Sequence, residues 1–287
     1  MKIDLFFNRI YVIESLLDDE RKTGKHLYEN KLMHLNAKYP NVSCKLHQIV
    51  TKQEFLDLLG EIENACIADA VFPIIHLECH GSEFGLQMAN KEFIDWEDLR
   101  EELIAINTAC RLNLLVTVAA CSGAYLIFTA RRMDAVPFFA VIGVEKEISN
   151  LDLEAGFNAF YGKFFESLDG DKAIEALNDE ALKKGHRFRM YTARFLFIKG
   201  FKDYYRKYCQ GKGKRKTIED LTTSAMKDPS VASKGVKVVR DYYKDALSRP
   251  DEDIAVLKEK FFFIDLVPEN NDRFPISFNE DILGNKT

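Results

Sequence analysis

The sequence predicts an α/β protein built on a mainly parallel sheet with helices on both faces. Three near-continuous apolar runs, at 71–79, 112–120 and 138–144, have strand length. Runs of that kind suit strands buried on both faces. Segments with helical spacing separate them, and that alternation is the pattern of parallel strands joined by crossover helices.

Each element follows from local composition. Residues 9–15 (R-I-Y-V-I-E-S) are β-branched and aromatic, a strand, and charged periodic sequence over 20–39 predicts a helix that stops at Pro40. Residues 41–50 return to strand composition. Thr51 and Glu54 have capping-box spacing, and Phe55, Leu58, Leu59 and Ile62 then keep a helical period. The run at 71–79 predicts a central strand ending at His80-Gly81. Residues 85–94 read as a short hairpin turning near Asn90, after which Asp95 caps a helix through Leu99, Leu103 and Ile106. The second run ends at Cys121-Ser122-Gly123, a short helix follows through Tyr125 and Ala130, and 138–144 is the third apolar strand. Residues 150–168 form a helix with a wide Phe and Leu face, and 172–184 continues as helix.

The character changes after Gly185. Residues 187–209 are basic and aromatic, and 211–216 (G-K-G-K-R-K) reads as an exposed linker. Residues 218–263 have helical composition interrupted at Pro229 and Pro250, and the last twenty residues read as an irregular arm. The domain organisation expected is therefore 1–209 for the α/β domain and 210–287 for a mostly helical extension.

Bulk composition bounds the function. The 287 residues are 47% hydrophobic and 30% charged, with 22 Phe against one Trp, the mix of a globular protein whose core volume is largely phenylalanine. A formal charge of −5 argues against a general nucleic-acid binder. No apolar run approaches the roughly 20 residues a membrane span requires. Residues 1–9 lack the apolar core and small-residue cleavage site of a secretory signal. The expectation is a cytoplasmic protein without membrane association. Its six cysteines are scattered, which suits buried thiols in a reducing compartment rather than a disulfide framework.

Two places share one design: an apolar strand ends abruptly beside a small residue and a chemically able side chain. The first is His80-Gly81, the second Cys121-Ser122-Gly123. In open parallel sheets the carboxyl ends of the strands form the ligand crevice, so adjacent strands would bring imidazole and thiol to one rim. A free thiol is only a few per cent thiolate at neutral pH; a nearby imidazole can take its proton and later protonate a leaving amine. The backbone N–H groups of Gly81 and Cys121 are then candidate oxyanion donors. The chemistry pointed to is acyl transfer with Cys121 as nucleophile and His80 as base, and no cofactor.

His76 sits inside its strand and reads as a hydrogen-bonded core histidine, and Cys66, Cys79, Cys110 and Cys209 read as structural thiols. Glu78 and Glu83 could orient an imidazole, with solvated or capping roles equally open. A metal site fits poorly, because His76 and His80 four apart on a strand lie about 13 Å apart, too far for one zinc. The aromatic series Tyr191, Phe195, Phe197, Phe201, Tyr204, Tyr205 and Tyr208 reads as packing.

On these residues the chain resembles the caspase-like cysteine peptidases, the clan of caspases, metacaspases and separases. That family shares an apolar strand ending in His-Gly and a later one leading to the Cys. The separation of 41 residues is of the order of the ~50 seen in caspases. Segments 154–161 and 168–177 resemble the bacterial CHAT-type group, and the likeness covers about residues 9–208. It implies a caspase-like three-layer sandwich and an endopeptidase working through a thioester. It further implies a protein substrate, regulation by an activating protein partner or upstream protease, and a role in defence or cell-suicide signalling. The sequence departs from the caspase signature at Ala119, where that family carries Gln, and at Ser122, the variable place. Both are expected near the substrate, and Ala119 also removes the Asp with which metacaspases favour basic residues. The first pocket is therefore expected to prefer an uncharged residue. The rival function is a caspase-like binding or scaffold module whose site is inactive or assembled only by a partner. A third reading is a thiol hydrolase acting on small esters or amides.

Overall fold

Six strands run through one sheet in the computed structural model, which describes residues 5–130 and 132–284. Of the segments read above, the first four residues of the N-terminal stretch and the last three of the C-terminal arm lie outside the described residues. The chain divides into two compact units, Met1–Ala193 and Arg194–Thr287.

In the first unit, β1 (Arg9–Ser15) precedes a short helix α1 (Thr23–Leu27), a π-helical turn (Tyr28–Leu32) and α2 (Leu35–Lys38). The single helix expected over 20–39 is thus broken. Its charged, periodic sequence carries too few apolar residues to hold one long face against the sheet. Strand β2 (Ser43–Gln48) and helix α3 (Lys52–Asp69) follow, with the capping box present: Glu54 N–H donates to the Thr51 hydroxyl and Thr51 N–H to the Glu54 carboxylate. Strand β3 (Pro73–Gly81) leads to the hairpin β4 (Gly85–Gln87) and β5 (Phe93–Asp95), and α4 (Trp96–Ala109) is capped by Asp95. Strand β6 (Leu115–Ala119), a 3₁₀ helix (Gly123–Ala130), β7 (Ala140–Val144), α5 (Asn150–Ser167), α6 (Gly170–Leu182) and β8 (Phe188–Thr192) complete the unit.

The strand order is β2-β1-β3-β6-β7-β8, parallel throughout except that β8 runs antiparallel to β7, and the β4–β5 hairpin hangs off β3. Because strand side chains alternate, the two faces of β1 and β3 meet different helices. Ile13, Ser15, Leu77 and Cys79 gather with Phe55 of α3 on one side. On the other, His76 packs edge-on against Phe157 and Tyr161 of α5, and Gly24 of α1 lies against Val12, Glu14 and Glu78. The result is the mainly parallel, three-layer α/β arrangement that the sequence predicts. Strand β8 was not foreseen; only Phe188 of its five residues is buried, so it lacks the apolar run that marks the central strands.

The second unit is helical. It contains nearly all of α7 (Ala193–Tyr204), then α8 (Gly211–Ala225), α9 (Pro229–Ala232), α10 (Val236–Ala246), α11 (Pro250–Phe261) and α12 (Asn270–Arg273). Pro229 and Pro250 begin helices rather than break them, since the first helical position needs no N–H. Residues 211–216 are the opening turns of α8 and not a linker, consistent with the good helix propensity of Lys and Arg. Phe197 stacks on Phe201 and meets Phe261 and Phe262, which places part of the aromatic series in this unit's own core.

Candidate active site

The ladder that pairs β3 with β6 matches Ile74 with Leu115 and Glu78 with Ala119. Continued two residues past its last pair, the same register sets His80 level with Cys121. The 41-residue separation in the sequence is therefore the register offset of two neighbouring strands. The strands stay close beyond the ladder: a Cβ on Gly81 would overlap the carbonyl oxygen of Cys121 and stand 2.9 Å from the Ala120 Cβ. Only glycine permits that approach.

At this edge lies an open cleft of about 770 Å³. It is lined by Gly81 and the following Ser82-Glu83-Phe84, by Cys121 and Ser122, and by residues 145–149 with Asp152 and His186. Cys121 is partly exposed, and its thiol donates to the Ile148 carbonyl at 3.6 Å. Ser122 takes φ +57, a left-handed conformation unusual outside glycine, which turns the chain sharply from β6 into the 3₁₀ helix. Its N–H donates to the Lys146 carbonyl at 3.3 Å, tying the turn to the 145–149 segment.

His80 stands beside the cleft and not in its lining. Its Nε2 meets Glu20 Oε1 at 2.7 Å, with the imidazole 46% exposed and the carboxylate 22%. No hydrogen bond joins its ring to Cys121 among the described residues; the thiol is turned to Ile148 and the imidazole to Glu20. Ala119, expected near the substrate, is sealed in β6 at 1% exposure and does not line the cleft. Its in-ladder pairing with Glu78 buries it, whereas Cys121 escapes because the strand has ended. Of the two residues expected to contact substrate, Ser122 alone reaches the cleft.

His76 is the core histidine the sequence suggests: fully buried, bonded through Nδ1 to Thr117 Oγ1 at 2.7 Å and through Nε2 to Glu78 Oε1 at 3.0 Å. Glu78 points into the protein toward His76 and Thr23, and Glu83 accepts from the Tyr125 hydroxyl at 3.1 Å, so neither orients His80. The hydrogen bond to Glu83 holds the Tyr125 phenol above its usual value. Glu20 is the residue that sequence reasoning missed; it lies in a loop sixty residues from His80, where no local pattern marks it.

Burial pushes Cys44 up to about 12 and raises Cys79, Cys110 and Cys209, which keeps these four protonated. The described residues contain no cluster of three or more groups able to hold a metal, and no described helix is long and apolar enough to cross a membrane. A separate cavity of about 370 Å³ in the second unit, lined by Ile254, Lys258, Ile264 and Ile276 among others, has no cysteine, serine or histidine in its lining.

No protein-family model matches the sequence, and no curated protein matches it. Among solved structures the chain is similar to that of the Drosophila initiator caspase Dronc. The two share 13% identity, the match covers 65% of this chain and 80% of that one, and the TM-score is 0.47.

Proposed function

We propose that the chain is a caspase-like cysteine peptidase that cleaves protein substrates through a thioester, with Cys121 as nucleophile and His80 as general base. The observation that carries this reading is the shared register of the two residues at the carboxyl edge of the sheet, with Cys121 opening onto a cleft of about 770 Å³. The Cys121 proton passes to His80 as sulfur attacks the substrate carbonyl. The N–H groups of Gly81 and Cys121 are the donors for the oxyanion that forms. Collapse expels the amine, which takes the proton from the imidazolium, and leaves a thioester. Water, deprotonated by His80, then releases the acid and restores the thiol.

The cleft walls bear on the substrate. Glu83, Glu145, Glu147 and Asp152 outnumber Lys146 and His186, so acidic side chains are disfavoured near the scissile bond, unlike the aspartate that caspases select. Phe84, 74% exposed at the cleft wall, offers an apolar surface for a substrate residue. The preference proposed is for an uncharged residue before the scissile bond. The CHAT-type resemblance of segments 154–161 and 168–177 is what supports proposing regulation by a protein partner or upstream protease and a role in bacterial defence or cell-suicide signalling.

One observation favours a second reading, a module whose site is assembled by a partner: thiol and imidazole are each engaged elsewhere. An electrophilic peptide probe library separates the two. A peptidase is labelled at Cys121, with labelling lost in Cys121→Ala and strongly reduced in His80→Ala. Labelling of wild type no faster than of His80→Ala would remove the catalytic reading. Proteome-wide cleavage mapping against Cys121→Ala then identifies substrates.

A further inference from the structure

We propose that Glu20 is a positioning residue for His80, held in place by the strand that carries His80 itself; this rests on the reading of His80 as the base of Cys121. The contact is short, 2.7 Å from Glu20 Oε1 to His80 Nε2. A carboxylate only accepts, so the imidazole hydrogen resides on Nε2 and Nδ1 keeps its lone pair. That is the tautomer a base requires, with Nδ1 the nitrogen left to receive the thiol proton.

The carboxylate is preorganised rather than free to wander. Its second oxygen accepts from the Leu17 N–H at 2.7 Å, and the Glu20 N–H donates to the Leu17 carbonyl at 3.0 Å. Lys22 Nζ closes the same turn on the carbonyls of Leu16 and Leu17, at 2.6 and 2.8 Å. Directly after the turn, the buried Thr23 hydroxyl donates to Glu78 Oε2 at 2.7 Å, and the Lys25 N–H to Glu14 Oε1 at 3.1 Å. Gly24 between them admits the close approach, since a Cβ there would stand 2.9 Å from the Glu78 Cγ. Alternate residues of β3 thus divide the work on one face. Glu78 anchors the start of α1, and the loop entering α1 returns Glu20 to His80, two residues along the strand. Arg21, next in the loop, is taken up by Glu154 of α5 and leaves Glu20 to the imidazole.

The test uses the full chain and needs no known substrate. Alkylation of Cys121 by iodoacetamide, a neutral reagent, is measured near neutral pH in wild type, Glu20→Ala, Glu20→Gln and His80→Ala. The tautomer of His80 is read from its ring ¹⁵N shifts. In wild type the hydrogen is expected on Nε2. Glu20→Ala should lose that preference and slow alkylation by about tenfold, the order of a charge-assisted hydrogen bond discounted for solvent exposure. Glu20→Gln keeps an accepting oxygen and should retain the tautomer with an intermediate rate. If His80→Ala alkylates as fast as wild type, the dyad itself fails. If His80→Ala is slow while Glu20→Ala leaves either the rate or the tautomer unchanged, only the positioning role is overturned.

Discussion

Replacing Gly81 by alanine tests whether the two strand ends must touch. The added methyl would overlap the Cys121 carbonyl and lie 2.9 Å from the Ala120 Cβ, where ordinary contact begins at 3.4 Å. The obstacle is backbone and a short side chain, neither of which can rotate away. The ends of β3 and β6 must therefore part by roughly 1 Å, and a displacement of that size at a reacting centre costs on the order of 100-fold in rate. The same strain should lower stability by about 1–3 kcal/mol, the usual range for overpacking. Urea denaturation gives the second quantity, and iodoacetamide alkylation of Cys121 together with probe labelling gives the first. A folded Gly81→Ala protein with wild-type alkylation and labelling would refute the argument that contact between these strand ends sets the catalytic geometry.

Three further outcomes follow from the geometry. Thr117→Val strands the buried His76 Nδ1 and Tyr161 hydroxyl, which Thr117 contacts at 2.7 and 3.1 Å; urea denaturation should show a loss of about 1–3 kcal/mol for each group left unpaired. Ser122→Gly relieves a left-handed residue and should raise the urea midpoint, by a gain of up to about 1 kcal/mol, and a lowered midpoint would count against strain at that turn. Glu154 is held below its ordinary carboxyl value chiefly by its hydrogen bond to Arg21. Its stabilising contribution is therefore full above pH 4.5 and is lost as pH falls through the depressed folded value. The stability difference between wild type and Arg21→Ala should shrink over that acidic window, as urea midpoints taken across the pH range would reveal.

Legibility differed from element to element for physical reasons. The central strands were visible because 71–79, 112–120 and 138–144 are apolar on both faces, and few other segments are. The cap at Thr51 and Glu54 was visible because both partners lie within one turn. Strand β8 was not, since an antiparallel edge with four half-exposed residues resembles an ordinary amphipathic stretch. The helix expected over 20–39 was real in part; its first predicted residues became the loop that presents Glu20. The reading of 211–216 as a linker followed glycine and charge, whereas the structure followed the helix propensity of lysine and arginine.

The approximate extents of the central strands, and the presence of an imidazole and a thiol where two of them end, are written locally. Strand period and burial belong to each segment alone, and a chain that must bury such runs has few ways to arrange them. Which carboxylate meets His80, that residues 145–149 line the cleft, and that Ser122 reaches the cleft while Ala119 does not were decided in three dimensions. Those relations depend on strand register and on how loops return across the sheet edge. They join residues dozens of positions apart, and no local periodicity encodes them.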